Sequence, residues 1–551
     1  MPKFDSSKKD IESLFGKQFS IPELESALEY AKCELDGQEG DLLKIECKET
    51  NRPDLWSPEG VVRELKARIG KERGIKEYKL QKSGVEVFID KNLETVRPLI
   101  ACAIVKGVSI DENFIIQMVN IQEKIGENFG RKRKELGIGL YDLDVMKPPV
   151  YYKGFKDDAI EFVPLEWKVS MRPSEILAQH EKGKAYKHLL EGASVYPIVI
   201  DSANTVASMP PIINSQTTGK VTSSTKNLFI EVTGFNWNIV ETALEVMCMA
   251  LVDRGGKLFS CKINFPADKK PYPAKTLNTP TFGTRKMSFD KSLVEKKTGV
   301  KFSDKALKDL LERARYEVSI KGSKINVEFS SYRVDVMHPV DVVEDIIISR
   351  GYNNISPARI EMSVVGSELQ MSIYQESVKN ACVGLGLQEI MTYDMTSKEI
   401  QSKNLFLEEE LVEINNAVST NYCILRKRLS PQALDFLSKN KDKEFPQKLF
   451  EVGLCVSPNH SFPTGVTQTT NVSVVLTHSN VNFTEIKSYL VALCKYLGVS
   501  CEVKKKAFAF LNENAAEITV NGKKGFIGEL KQEVIDSFGL RKPVALFEFE
   551  L

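Results

Sequence analysis

The stretch Arg333-Val-Asp-Val-Met-His-Pro-Val-Asp-Val-Val-Glu-Asp-Ile-Ile-Ile-Ser-Arg-Gly-Tyr352 sets Asp335, Asp341, Glu344 and Asp345 around the start of a helix. Pro339 suits a first helical turn, where its missing N–H costs little, and Val342/Ile346 and Val343/Ile347 follow at helical spacing. Asp341, Glu344 and Asp345 then share one helix face at i, i+3 and i+4, where like charges repel by ~0.2–0.5 kcal/mol per pair. Asp335 lies just upstream, at what reads as the end of a strand. A hard cation would relieve this repulsion, and an all-oxygen set with only His338 nearby suits Mg²⁺ or Ca²⁺ better than zinc. Acids in a first turn are also favoured by the helix macrodipole, so a solvated helix N-terminus fits the same spacing.

Working outward, Ser303 caps a helix with Leu307, Leu310, Leu311 and Ala314 on one face, Ile325, Val327 and Phe329 alternate as a strand, and the acidic helix follows. Residues 274–358 therefore read as a winged-helix-like module, a shape that serves nucleic-acid contact or plain docking. After Ser356-Pro-Ala358 comes an α+β region, 360–551, with strand-like Glu389–Tyr393, Lys448–Val452, Asn471–Leu476 and Val544–Phe549. On the other side, residues 1–90 form a mixed module. Its firmest element is a helix opened by Ser57-Pro58-Glu59, with Val62, Leu65 and Ile69 as the apolar stripe, preceded by the charged turn Glu49–Trp56. Residues 91–266 open with strand-like Ala101–Val105 and a helix carrying Phe114, Met118, Ile121 and Ile125. They continue as β structure at Tyr196–Ile200 and Leu228–Thr233, around a Ser/Thr-rich bend from Gln216 to Thr225. Lys269-Lys-Pro-Tyr-Pro273 reads as a linker. The fold class is α+β, multidomain, and 551 residues with 42% hydrophobic content suffice for several cores.

Lys+Arg 75 against Asp+Glu 74 leaves a formal net charge of +1, so any nucleic-acid or membrane partner must be met by local patches rather than a global field. Arg131–Lys134, Arg426–Arg428 and Lys504–Lys506 are the basic runs, each read as a solvated face. Ten cysteines without a C-x-x-C pair or a His cluster argue against zinc and against a disulfide framework, and a reducing cytoplasm is expected. The first ten residues have neither a signal core nor transit-peptide character, and no apolar run approaches the ~18 residues of a membrane span.

Nucleophile-elbow, Walker and H-E-x-x-H signatures are missing, and the five histidines are dispersed. Gly137-Ile-Gly139 and Gly384-Leu-Gly386 read as turns or helix caps. Ser208-Met-Pro-Pro-Ile-Ile-Asn214-Ser215 is a proline-stiffened bend between β segments, either a binding loop or a surface turn. Glu231 and Thr233, two apart on a strand, point to one face, which is a solvent stripe or a pocket wall.

Asn51-Arg-Pro-Asp-Leu55 with Gly60, Gly137-Ile-Gly-Leu-Tyr-Asp142, Ser208–Asn214 and the acid set Asp335, Asp341, Glu344, Asp345 occur in this order. Together they resemble the phenylalanyl-tRNA synthetase β-subunit family over nearly the whole chain. The gap between about 70 and 95 has no room for the OB-fold insertion of bacterial members, and no anticodon-binding module follows Leu551. The chain is thus similar to the archaeal and eukaryotic cytosolic type.

The resemblance implies an editing domain at 91–266 and a catalytically inactive, class II synthetase-like antiparallel-sheet core at 360–551, with no residue of this chain catalysing aminoacylation. It implies an α subunit that uses ATP, an (αβ)₂ heterotetramer, tRNA(Phe) as partner, a cytoplasmic location and no membrane. Ser208, Glu231 and Thr233 fall at the implied editing site, binding tyrosine and placing a water at the ester. Glu231 stands where archaeal members carry Asp, and Gly126 where related chains often carry His. Asp335, Asp341, Glu344 and Asp345 fall on Mg²⁺ ligands shared with the α subunit. A free-standing tRNA- or protein-binding scaffold that kept the fold is the alternative.

Overall fold

The computed structural model describes residues 2–357, 359 and 364–551, so Ala358, the end of the expected third module, lies outside them. The chain divides into two compact units, Met1–Ala358 and Arg359–Leu551.

The first unit begins with an antiparallel sheet in which Leu42–Cys47 lies between Lys3–Ser7 and Cys33–Glu39. Helix Pro58–Arg68 starts as expected, with Gly60 N donating to Ser57 Oγ at 3.3 Å. It is not the amphipathic helix that its apolar spacing predicts: Ile69 is exposed, while Arg63, Glu64 and Arg68 are buried. Neighbouring elements supply ionic partners, for example Asp253, 2.6 Å from Arg63 Nη1, so the polar face is enclosed as well. At Gly60 the helix passes so close to the Glu49–Trp56 turn that a Cβ would stand 1.7 Å from the Asp54 carbonyl oxygen.

A ten-stranded sheet dominates this unit. Its order is Ile213–Asn214, Val206–Met209, Tyr196–Asp201, Val150–Phe155, Leu80–Ile89, Lys257–Asn264, Leu99–Lys106, Asn227–Gly234, Leu136–Asp142, with Thr276–Thr279 also pairing with Lys257–Asn264. Leu99–Lys106 is buried along nearly its whole length, which is why it reads as a continuous apolar run. Helix Trp237–Asp253 packs on it and is buried all round from Val240 to Leu251. Two sequence-predicted boundaries shift. Leu80–Ile89 belongs to this sheet rather than to the N-terminal module, because it pairs in parallel with both Val150–Phe155 and Lys257–Asn264. The expected linker Lys269–Pro273 lies inside the connection of an antiparallel pair, where Tyr272 is buried against Phe265.

The sheet also curls until its ends meet. Asn214 Nδ2 on one end strand donates to Leu140 O on the other at 3.3 Å, and Asp142 N donates to Thr218 O at 2.8 Å.

Residues 284–350 form the remaining part of the unit. Lys324–Ser330 lies between Thr284–Asp290 and Glu317–Lys321 in an antiparallel sheet packed with helices Ser292–Thr298, Asp304–Arg313 and Pro339–Arg350. Ser303 caps the second helix and Pro339 opens the third, as the sequence predicts.

In the second unit a seven-stranded sheet runs Gln388–Glu389, Gln447–Pro458, Val466–Thr477, Val544–Glu550, Lys523–Leu530, Leu511–Val520, Cys501–Lys505, antiparallel except for the first pair. Period-two alternation feeds two cores. Val472, Val474, Ala545 and Phe547 meet helices Gln370–Gly384 and Phe483–Leu497, while Val475, Val544 and Leu546 meet Ser430–Lys439 and Gln532–Ser537. The strand expected at Glu389–Tyr393 is confined to Gln388–Glu389; beyond it, the Thr392 N–H and hydroxyl turn to the Glu451 carboxylate. Arg426–Arg428 is not a solvated face. Arg426 is buried 2.6 Å from Glu451, and Arg428 forks onto Glu409.

Candidate functional site

The acidic stretch does not gather its four carboxylates at one point. Asp335 sits in a turn rather than at a strand end, gripped by Arg333 through Nε at 2.9 Å and Nη2 at 2.7 Å. Asp345 is buried: one oxygen takes Arg68, and the other takes Arg333 and the Tyr316 hydroxyl, both at 2.7 Å. Asp341 closes the helix N-terminus, accepting from Met337 N at 2.8 Å and His338 N at 2.6 Å. Glu344 is open to solvent and lies 3.2 Å from Lys32. Among the described residues no three His, Cys, Asp or Glu side chains are arranged to hold a metal ion.

What Asp335 and Asp345 do supply is an ionic core between the N-terminal module and residues 313–350. The Arg52–Trp56 part of the charged turn is buried here: Arg52 forks onto Asp54 at 2.9 and 2.8 Å and reaches Glu64 at 3.3 Å, while Arg68 holds Glu64 at 2.8 Å. Three guanidiniums (Arg52, Arg68, Arg333) thus face four carboxylates (Asp54, Glu64, Asp335, Asp345). Burial pushes Glu64, Asp335 and Asp345 up, but the arginines more than offset it. Glu64 is held down at about 2, and Asp335 and Asp345 are also held below the usual carboxylate range.

A second set converges where the ends of the large sheet meet. Ser208 and Glu231 have five strands between theirs in the sheet order, yet both line one cavity of about 310 Å³. Tyr141 joins them, its hydroxyl 2.7 Å from Ser208 Oγ and 2.9 Å from Glu231 Oε1. A phenol has one proton to give. With Glu231 ionised it goes to the carboxylate, and the Ser208 hydroxyl then donates to the phenol. Glu231 Oε2 has no hydrogen-bond partner. Burial pushes this carboxyl up to about 7, against the pull of the Tyr141 hydrogen bond and the Arg97 charge. Thr233 points to the same face but does not line the cavity. Arg97 covers it, donating from Nε to Thr233 Oγ1 at 3.0 Å and from Nη2 to Thr233 O at 2.8 Å. Gly126 lines the cavity too, and a Cβ there would meet Arg133 Cγ at 3.5 Å, an ordinary contact.

Gly137 and Gly139 are neither turn nor cap. They lie in strand Leu136–Asp142, facing Thr233 and Glu231 across the ladder. A Cβ on Gly139 would stand 2.0 Å from the Tyr141 hydroxyl and 2.8 Å from Glu231 Oε1. Gly137, Gly139 and Tyr141 fall on one face at i, i+2 and i+4, the pattern by which Tyr141 could have been singled out in the sequence. Arg97 and Arg133 carry no comparable signal.

The cavity rim is built under strain. Arg131, Lys132 and Arg133 take φ of 49°, 55° and 61°, three successive left-handed residues, each costing ~1–2 kcal/mol before compensation. Bonds from Lys132 N to Glu127 O at 2.9 Å and from Arg133 N to Gly126 O at 2.8 Å offset part of that cost.

Comparison with known proteins bears on the whole chain. Residues 287–352 match the family model "tRNA synthetase B5 domain", and residues 357–551 match "Phenylalanyl tRNA synthetase beta chain CLM domain". The phenylalanine–tRNA ligase β subunit of Pyrococcus horikoshii is 41% identical over 558 residues, covering 100% of this chain and 99% of the relative. That of Thermococcus sibiricus is 40% identical over 558 residues, covering 100% and 98%. A crystal structure of an N-terminal fragment of the P. horikoshii phenylalanyl-tRNA synthetase β subunit superposes with a TM-score of 0.61 at 43% identity, covering 64% of this chain and 100% of the fragment. The chain belongs to the phenylalanine–tRNA ligase β-subunit family.

Proposed function

We propose that this chain works with an α subunit, as an (αβ)₂ ligase in the cytoplasm, to charge tRNA(Phe) with phenylalanine, and that its large-sheet domain hydrolyses mischarged tyrosyl-tRNA. ATP and its Mg²⁺ are used at the α subunit, and the second unit of this chain is an inactive synthetase-like core that pairs with it. Identity along the full length supports the ligase role.

The editing role rests on Glu231. An apolar pocket shaped for phenylalanine rejects an added hydroxyl by only about a hundredfold, whereas a site built to hydrogen-bond that hydroxyl rejects the analogue lacking it by about 10⁴. Glu231 offers such a site, with one oxygen engaged by Tyr141 and the other without a partner, at a cavity that Ser208 also lines. Tyrosine satisfies Oε2 with its phenol; phenylalanine leaves it buried and unpaired. Ser208 lies within the same hydrogen-bonded chain and orients the bound ester. Thr233 acts from beneath, holding Arg97, whose charge favours the ionised carboxylate. Hydrolysis consumes one water, breaks the acyl–oxygen bond and returns the proton to the ribose oxygen.

For Mg²⁺ at the acidic stretch, Asp341 and Glu344 are the members outside the arginine core, and the remaining coordination positions fall to the α subunit and water. Asp335 and Asp345 then act from behind them.

Co-purification with an α subunit, followed by charging and deacylation assays, tests the assignment. A complex that does not charge tRNA removes the ligase reading, and one that charges but never releases tyrosine from tyrosyl-tRNA removes the editing reading. Glu231→Ala and Thr233→Val are expected to slow that release with charging kept.

A further inference from the structure

The strained rim carries four basic residues in succession, and they divide into two kinds. Arg133 is fastened inward. It donates from Nη1 to Pro211 O at 3.2 Å and Ile212 O at 3.1 Å, reaches Glu123 at 2.9 Å, and lies 4.3 Å from the Tyr186 ring centroid. Pro211 and Ile212 belong to the segment that carries Ser208, so this side chain fixes the turn against the cavity wall. Arg131, Lys132 and Lys134 point outward and are exposed. Arg131 meets Glu135 only at 4.0 Å and stays 78% exposed, and Lys132 and Lys134 enter no ion pair among the described residues. Nearby acids are already engaged: Glu127 takes the Tyr186 hydroxyl, and Glu123 is shared by Arg133 and Lys182, the latter at 2.8 Å. The left-handed turn thus holds exposed, weakly paired or unpaired cations on either side of Arg133, which lines a cavity about 310 Å³ in volume. A solvated basic loop needs neither the strain nor the Arg133 brace.

We propose that Arg131, Lys132 and Lys134 bind phosphodiester groups of the RNA strand whose 3′-terminal ester enters the Ser208–Glu231 cavity, while Arg133 positions the turn. This rests on the editing reading and assigns it a nucleic-acid contact. The cavity takes the amino-acid end of the substrate, and the strand behind it is a polyanion held by counterion-releasing contacts.

The test compares the αβ complex with its Arg131→Ala/Lys132→Ala/Lys134→Ala variant. For deacylation of tyrosyl-tRNA, KM is expected to rise about tenfold at ordinary salt with kcat unchanged, and the slope of log KM against log[salt] to fall by about 2, the sum for three single-strand phosphate contacts. Tyrosine ethyl ester, which has no phosphate, is expected to be hydrolysed equally by both complexes. An unchanged KM and salt slope overturn the proposal, as does a variant that fails to assemble with α, which would make the turn a protein contact. Failure of the parent complex to release tyrosine sinks the editing reading instead. The turn is then judged by whether tRNA protects Lys132 and Lys134 from acetylation, and no protection overturns the proposal on its own.

Discussion

The Tyr141 hydroxyl stands 2.9 Å from Glu231 Oε1, lying over Gly139 of its own strand Leu136–Asp142, the residue that pairs with Glu231. This bond satisfies one oxygen of a buried carboxyl and leaves the other available, so the state of Glu231 depends on a neighbour that can donate only one proton.

Burial raises the Glu231 carboxyl to about 7, so it is neutral below that pH and ionised above it. An ionised Oε2 accepts a phenol more strongly. The affinity of the complex for tyrosyl-tRNA, relative to phenylalanyl-tRNA, is therefore expected to rise as pH passes through about 7, and Glu231→Gln to flatten that profile. The same shift sets stability. An acid whose folded value lies above its unfolded one adds stability below the unfolded value, and this is lost as pH rises through the folded value. Glu231→Gln should therefore raise the melting temperature relative to the parent at pH 8 and change it little near pH 4; a larger effect at acid pH would contradict the assignment.

Tyr141→Phe removes the donor and leaves Glu231 Oε1 buried without a partner, at a cost of about 1–3 kcal/mol. Urea unfolding should show that loss, and tyrosine release should fall while charging is retained. Release at the parental rate would mean that Tyr141 only packs.

Gly139→Ala places a methyl where the Tyr141 hydroxyl lies, with 2.0 Å between them. The phenol must leave Glu231, so editing should drop as in Tyr141→Phe, and the double variant should be no worse than either single one. Additive losses in that cycle would show the two positions to be independent.

Asp345 separates a structural role from a metal role. It is enclosed by Arg68, Arg333 and Tyr316, and removing one partner of such a buried pair costs about 3–5 kcal/mol. Asp345→Asn should destabilise the isolated chain by about that much even with chelator present. Glu344→Gln should leave the isolated chain's stability unchanged and weaken only Mg²⁺-dependent assembly with α. Equal unfolding midpoints for Asp345→Asn and the parent would remove the ionic core from the account.

Periodicity and caps were legible in the sequence. Ser57, Ser303 and Pro339 open the helices expected of them, Leu228–Thr233 is a strand, and the alternation in Asn471–Leu476 and Val544–Phe549 feeds two faces of one sheet. These features depend on neighbours within a few residues, where backbone geometry fixes the relation between spacing and direction. The sequence also placed Ser208, Glu231 and Thr233 as a candidate set and named the four acids.

Long-range closure decided the rest. Ser208 and Glu231 meet only because the sheet curls until Asn214 touches Leu140, and no local spacing encodes that curl. Arg52 and Asp54 in the charged turn, Glu64 and Arg68 in helix Pro58–Arg68, and Asp345 in the acidic stretch carry no burial signal one segment at a time. They are buried because segments more than 250 residues apart, such as those of Arg68 and Asp345, supply each other's counterions. A charge's burial is set by what packs against it, so the sequence determined which groups carry charge, and the tertiary structure determined which are spent on holding the fold and which remain free to meet a substrate.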